Sequence, residues 1–279
     1  MRKLLSIGLC LPLAACVIGD VSDPGDGVDP GDNNGSGGPT NDGSITGLVT
    51  ADTTWSGTVL IGYDRATTRI EPGVTITVAP GTTLKFKQNA GLDIKGTLKV
   101  QGTSAQKVRL EPAEGNTYPL LVGGTLELTY AVMERGNIQT TTGSTTTITD
   151  TKMYRAAGDL LIMNGGSVTM TYSQIGPGPN ETDTTHCQIH TSGNANTISI
   201  TKSDINGAPY GLMLYGGQNA IFTNNNWYAN EIDISTQPGV SGDVSGSYFD
   251  GAAPIAGGGA TITANNLSPT RLIDAGVRP

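Results

Sequence analysis

The sequence predicts an all-β solenoid, one chain wound into stacked coils, and three observations carry that prediction. The first is a repeat in which an apolar, a small polar and a second apolar residue recur at fixed offsets in seven rows. The leading column runs Leu128, Ile148, Met170, Ile200, Phe222, Val244 and Ile262. Three residues on stand Ala131, Thr151, Ser173, Ser203, Asn225, Ser247 and Asn265, and two further on Met133, Met153, Ile175, Ile205, Trp227, Phe249 and Leu267. The offsets hold while the rows lie 20, 22, 30, 22, 22 and 18 residues apart, so each row reads as one turn of a solenoid. The second observation is composition: 40 Gly among 279 residues and only 14% charged residues suit short strands joined by tight turns. The third is alternation, as in Leu84/Phe86, Leu92/Ile94, Leu98/Val100 and Val108/Leu110, the two-residue period of half-buried strands.

In chain order the elements begin with a processing signal. Arg2 and Lys3 precede the apolar run Leu4 to Leu13 and the small residues Ala14 and Ala15, so residues 1–15 read as a signal peptide. The run is too short to span a bilayer as a helix. Leu13-Ala14-Ala15-Cys16 resembles the lipobox of bacterial lipoproteins, which implies lipid on Cys16 and a membrane-anchored, extracytoplasmic protein. Val17 and Ile18 follow the lipid site; by resemblance to enteric lipoproteins, the lack of Asp there implies the outer membrane. Cys10 falls within the removed segment and Cys187 is left without a partner, so no disulfide framework is expected.

Residues 16–45 read as the lipid site and a tether. Six Asp, no Lys or Arg and a doubled Asp-Pro-Gly-Asp leave nothing to bury. The alternating carboxylates also suggest a calcium loop, but the bidentate Glu and the spacing of an EF-hand are missing.

Residues 46–279 read as one strand-rich domain. Glu71-Pro72-Gly73-Val74-Thr75-Ile76 is echoed by Ala79-Pro80-Gly81-Thr82-Thr83-Leu84, a turn followed by an alternating strand. Gly96-Thr97-Leu98-Lys99-Val100 returns as Gly124-Thr125-Leu126-Glu127-Leu128 and as Gly166-Ser167-Val168-Thr169-Met170, which joins the two halves. The segment from Ile70 to Pro112, with its Pro-Gly-x-Thr turns and the Gly-Thr-Leu-Lys-Val-Gln-Gly-Thr run at 96–103, resembles the opening coils of the pectin-lyase-like superfamily. Thr223-Asn224-Asn225-Asn226-Trp227 resembles its later coils. The resemblance implies a single-stranded right-handed parallel β-helix of about ten coils, a rod on the order of 50 Å long at ~4.8 Å per coil.

The three columns then describe one corner of the rod. The apolar columns stack inside, Trp227 among them, and the Ser and Asn column sits at the bend, bonding the turn backbone or its own neighbours. Open ends of such a rod invite edge pairing. Ile45 to Tyr63, with Trp55, is the expected N-terminal cap, and Ser268 to Pro279 the candidate at the other end.

Chemistry is expected first where one row is eight residues longer, in Gly176 to His186. Extra residues in a solenoid coil go to an outward loop, and Asn180, Glu181, Asp183 and His186 form the candidate ligand loop for a cation or a sugar. His186 and His190 flank Cys187, but histidines four apart on a strand lie about 13 Å apart, so no metal site is expected. Superfamily enzymes cut uronic-acid polysaccharides, and the resemblance implies clustered Asp for calcium or acid/base work with Arg or Lys beside it. The chain has none of the Asn-Thr-Asp, Gly-His-Gly or Arg-Ile-Lys motifs of polygalacturonases. Asp150, Lys202 and Asn224 share their column with Tyr130, Tyr172 and Gly246, a mixed surface.

A formal charge of −8 and no basic stripe exclude nucleic acid as a partner. Neutral sugars meet no such penalty. Thr140 to Thr149 suggests an ice- or lattice-binding face, but regular Thr-x-Thr is expected in only one coil. The expected function is a lipid-anchored cell-envelope β-helix acting as a surface structural, adhesion or glycan-contact module. No cofactor is implied, calcium being the one cation the loop would suit. The alternative is a polysaccharide lyase or glycoside hydrolase acting on uronic-acid polymers, with an envelope protein as another class of partner.

Overall fold

Every few residues a turn former interrupts the alternating pattern, so the strands run only two to seven residues, and they stack by pairing with the equivalent strand one coil away. The computed structural model describes residues 43–279 apart from 180, 194–195 and 252–257. Cys16, the expected signal peptide, nearly all of the expected tether and Asn180 lie outside the described residues. The described chain is a parallel β-solenoid of about nine turns built from three sheets of nine, ten and nine strands. Each coil contributes a strand to sheet one (Leu48–Val49 first, Ile232–Thr236 last), then to sheet two (Thr53–Trp55 to Thr261–Thr263), then to sheet three (Thr58–Ile61 to Tyr248–Phe249). Every ladder between named strands is parallel, and among the described residues no helix occurs.

The register places the repeat as the sequence predicts through six rows. Leu128 stacks on Ile148, Met170 and Ile200 in sheet two, and Met133 stacks on Met153, Ile175, Ile205, Trp227 and Phe249 in sheet three. These side chains form one continuous buried core, within which Trp227 stacks on Phe249 at 5.9 Å and meets the edge of Phe222 at 6.2 Å. The seventh row is shifted. Ile262 pairs with Gly242, not Val244, and Ser268 bridges Tyr248, so the last coil is 20 residues long and Leu267 lands at the polar position. The repeat of apolar types misleads here because the final coil has no coil above it to enforce a buried column.

Between sheets two and three the chain turns at a column of residues with positive φ: Tyr130, Asp150, Tyr172, Lys202 and Asn224, at +46° to +57°. Holding residues with side chains in this region costs about 1 kcal/mol each. A polar ladder directly after each bend offsets that cost. Thr151 Oγ1, Ser173 Oγ, Ser203 Oγ, Asn225 Oδ1 and Ser247 Oγ each accept the backbone N–H of the equivalent residue one coil earlier, at 2.9–3.3 Å. Each side chain also donates to a nearby carbonyl, as Ser173 does to Thr171 O at 2.9 Å and Asn225 to Ile200 O at 2.8 Å. The whole ladder is buried and satisfied.

Two expectations about the ends change. Ile45 to Tyr63 is not a separate lid but the first coil itself: Ile45 bridges Ile61, and Trp55 is buried under sheet two as a core residue. The segment 268–279 does not close the far end. It runs back along the outside of the bend between sheets two and three, where Arg271 covers the Tyr228 ring at 3.8 Å and Arg278 reaches Asp150 at 2.6 Å. The twelve residues are too few for another coil, and the described strands make about nine turns where about ten were expected.

Candidate functional site

The long row does form an outward loop, between Ile175 and Thr185, and its carboxylates are turned to holding the loop in place. Asp183 Oδ1 accepts the N–H groups of Arg155, Thr184 and Thr185 at 2.7, 2.8 and 3.0 Å and the Thr185 hydroxyl at 2.6 Å. Its Oδ2 accepts Gln188 Nε2 at 2.9 Å. Glu181 accepts Lys152 Nζ in a short ion pair and Gly178 N–H at 2.7 Å. Partial burial pushes the Glu181 carboxyl up, but Lys152 and the Gly178 N–H outweigh it and hold the group below its usual range. Five bonds on one carboxylate and an ammonium on the other leave a loop tied to the coil beneath it.

The chemistry lies one strand further on. Thr185–Thr191 in sheet one follows the loop, and its pairing with Gly158–Met163 is irregular: Gly158 opposes Thr185 while the adjacent Asp159 opposes Cys187. His186 is the extra residue of a β-bulge. Alternation is lost across it, with Cys187, Gln188 and Ile189 all buried. As a result His186 and His190 do not stand apart along a regular strand, as four-residue spacing predicts. Both turn to the carboxylate of Asp159, His186 Nδ1 at 3.0 Å from Oδ1 and His190 Nδ1 at 2.6 Å from Oδ2.

A carboxylate only accepts, so each imidazole donates from Nδ1 and its Nε2 is an acceptor when the ring is neutral. Burial works to raise the Asp159 carboxyl, but the hydrogen bonds from His190 and His186 prevail and hold it below its usual range. Aromatic rings flank the pair: Tyr210 lies 5.2 Å from the His186 ring and Tyr215 packs edge-on to His190 at 5.4 Å. Tyr215 Oη is 3.2 Å from Ser235 Oγ on the next strand. The site is therefore a line of polar rings and hydroxyls crossing four strands of sheet one, with His186 half exposed.

Of the sequence-predicted loop residues that the structure describes, Glu181, Asp183 and His186, only His186 enters this group. Asp159, His190, Tyr210 and Tyr215 complete it. Asp159 precedes His190 by 31 residues, close to the length of the long coil, so coil spacing applied to outward residues was the available signal. Cys187 points into the core, where burial pushes its thiol up to about 12, an inert space filler. Among the described residues, no group of three or more His, Cys, Asp or Glu is placed to hold a metal ion.

Elsewhere, several acidic groups meet cations. On sheet three Glu111 pairs with Arg109 at 3.0 Å and Glu134 with Arg155 at 2.9 Å, while Tyr154 donates to Glu134 at 3.3 Å. The mixed column at the bend is covered by the strap, in which Arg278 grips Asp150 with two nitrogens and lies 4.0 Å from the Tyr172 ring. Lys202 pairs with Asp274 at 3.2 Å. Comparison of the chain with protein-family models, curated proteins and solved structures finds no match.

Proposed function

We propose that the protein is a cell-envelope module that contacts neutral glycans through the sheet-one patch of Asp159, His186, His190, Tyr210 and Tyr215. The reading keeps the lipobox resemblance at Cys16 and the outer-membrane location as part of the proposal, with residues 16–45 holding the rod off the bilayer. The observation that carries it is one carboxylate orienting two imidazoles between two tyrosine rings. Imidazole Nε2 atoms and tyrosine and serine hydroxyls supply the acceptors and donors that sugar hydroxyls need, and ring faces suit the apolar side of a pyranose. Fixed rotamers on a packed sheet lower the ordering cost of binding. The net charge of −8 works against polyanions and not against neutral chains.

The same geometry supports a second reading. An imidazole oriented by a carboxylate at Nδ1 has an Nε2 set up for general base work, which would make the patch the acid/base centre of a polysaccharide-cleaving enzyme. Affinity electrophoresis of the full chain through gels of neutral and uronic polysaccharides, with and without calcium, together with the chain length of the recovered polymer, separates the two. Retardation by a neutral glycan without shortening, lost in His186→Ala/His190→Ala, is the expected result. Shortened chains replace the binding reading with the enzyme, and neither retardation nor shortening on any polymer defeats both.

A further inference from the structure

Sheet two presents an ordered grid of hydroxyls, and we infer that this face binds the surface of ice. Strand Thr145–Thr149 turns Thr145, Thr147 and Thr149 outward, and the register sets them directly against Ser167, Thr169 and Thr171 of the next coil. These in turn oppose Thr197, Ser199 and Thr201. The first column continues the other way through Thr125, Thr97 and Thr75, giving six consecutive hydroxyl residues in register. At ~4.8 Å between strands this column is roughly 24 Å long, and hydroxyls two residues apart along a strand are ~6.6 Å apart. The between-strand repeat lies near the shorter repeat of the hexagonal ice lattice, and the along-strand repeat falls short of the longer one. Regular Thr-x-Thr is thus not confined to one coil: Ser replaces Thr at two of the nine grid positions, which hides the pattern in the sequence but not on the surface.

Three features point to ordered water as the occupant. No hydroxyl of the nine has a hydrogen-bond partner among the described residues, so the donors and acceptors of the grid are open. The nine positions carry no charge and no aromatic ring, which removes the stacking platform a sugar needs and the anchors a protein partner needs. Threonine has a stiff χ1, and the inward side chains beneath the grid, Thr146, Ile148, Val168, Met170, Ile198 and Ile200, are buried. Methyl and hydroxyl positions are therefore set before water arrives, and little ordering entropy remains to be lost. Toward the N-terminal coils the middle column changes to Lys99 and Glu127, which pair with each other at 3.9 Å and mark the border of the uncharged grid.

The test is the rate of ice recrystallisation, and the partition of labelled protein into a growing ice front, measured with the full chain. The wild-type chain is expected to slow recrystallisation and enter the ice. Thr147→Tyr/Thr169→Tyr puts two rings on the centre of the grid while leaving every inward residue in place, and is expected to weaken both effects about tenfold or more. Thr147→Lys, a single outward charge, is the second variant should the tyrosine pair disturb β-structure by circular dichroism, and the same loss is expected. His186→Ala/His190→Ala is expected to leave both effects unchanged, so this inference and the glycan reading fail separately. Wild-type protein that neither slows recrystallisation nor enters ice overturns the inference, as do grid variants with wild-type activity. Retention on crystalline chitin with no effect on ice also overturns it, in favour of a polysaccharide face.

Discussion

Asp159 shows how one residue organises a surface that its neighbours alone would not. Its two oxygens take one imidazole each, and its side chain is mostly covered. Asp159→Asn retains the shape but offers one oxygen and one amide donor, so one ring keeps its Nδ1–H bond to oxygen while the other must carry its proton on Nε2 and accept from the amide, without the carboxylate's charge. The expected cost is about 1 kcal/mol, kept small because His186 is half exposed to water. The pH dependence has a definite sign: the folded-state carboxyl lies below its usual value, so its contribution is complete above the unfolded carboxylate range of about 4 and disappears as pH falls through the lowered folded value. Denaturant midpoints of wild type and variant across that range should differ by a constant amount above it and converge below it. A gap that persists at low pH would show that Asp159 does not act through its charge. This residue was not legible beforehand because outward columns carry no hydrophobic signal, and only coil spacing links Asp159 to His190.

At the scale of the element, the bend between sheets two and three is a sequence device with a structural counterpart. A positive-φ residue turns the chain, and the following Ser, Thr or Asn satisfies the backbone of the coil before it. Ser203 is fully buried, accepts Ser173 N–H at 3.2 Å and donates to Thr201 O at 3.0 Å. Ser203→Ala orphans both groups and is expected to cost about 1–3 kcal/mol in chemical unfolding. Ser203→Thr should be far milder, because Thr151 already fills the equivalent place with the same two bonds. Equal destabilisation by the two substitutions would mean that packing volume, not bonding, decides the position. The column was legible as polar and stacked; that it runs in one direction, side chain of each coil to backbone of the coil before, is set by the tertiary structure.

For the whole molecule, the segment 268–279 ties coils that are distant in sequence. Gly276 N–H donates to Lys202 O at 2.9 Å, Asn226 exchanges two bonds with Leu272, and Arg278 holds the buried carboxylate of Asp150 from 128 residues away. A solenoid is otherwise held by neighbour-to-neighbour contacts alone, so such a strap adds coupling along the rod. Arg278→Ala should release the segment, raising the hydrogen-exchange rate of the Gly276 amide while leaving core strands protected. Combining it with Asp150→Ala should add little beyond either change, the signature of a coupled pair. Unchanged protection of Gly276 in Arg278→Ala would show that the backbone bonds suffice without the ion pair.

The sequence by itself determined the solenoid, its inward columns and the polar bend, because burial imposes the same residue types at the same offset on every coil. It also located the long loop, since a coil can lengthen only outward. Tertiary structure decided the rest. The bulge at His186 brought two histidines to one carboxylate, and the register put Thr and Ser of separate coils into one grid. The strap over Asp150 and Tyr172 was likewise invisible, because a surface segment needs no periodic pattern to find its partners. Outward positions are selected by what they meet across coils, and that relation exists only once strand register has been set.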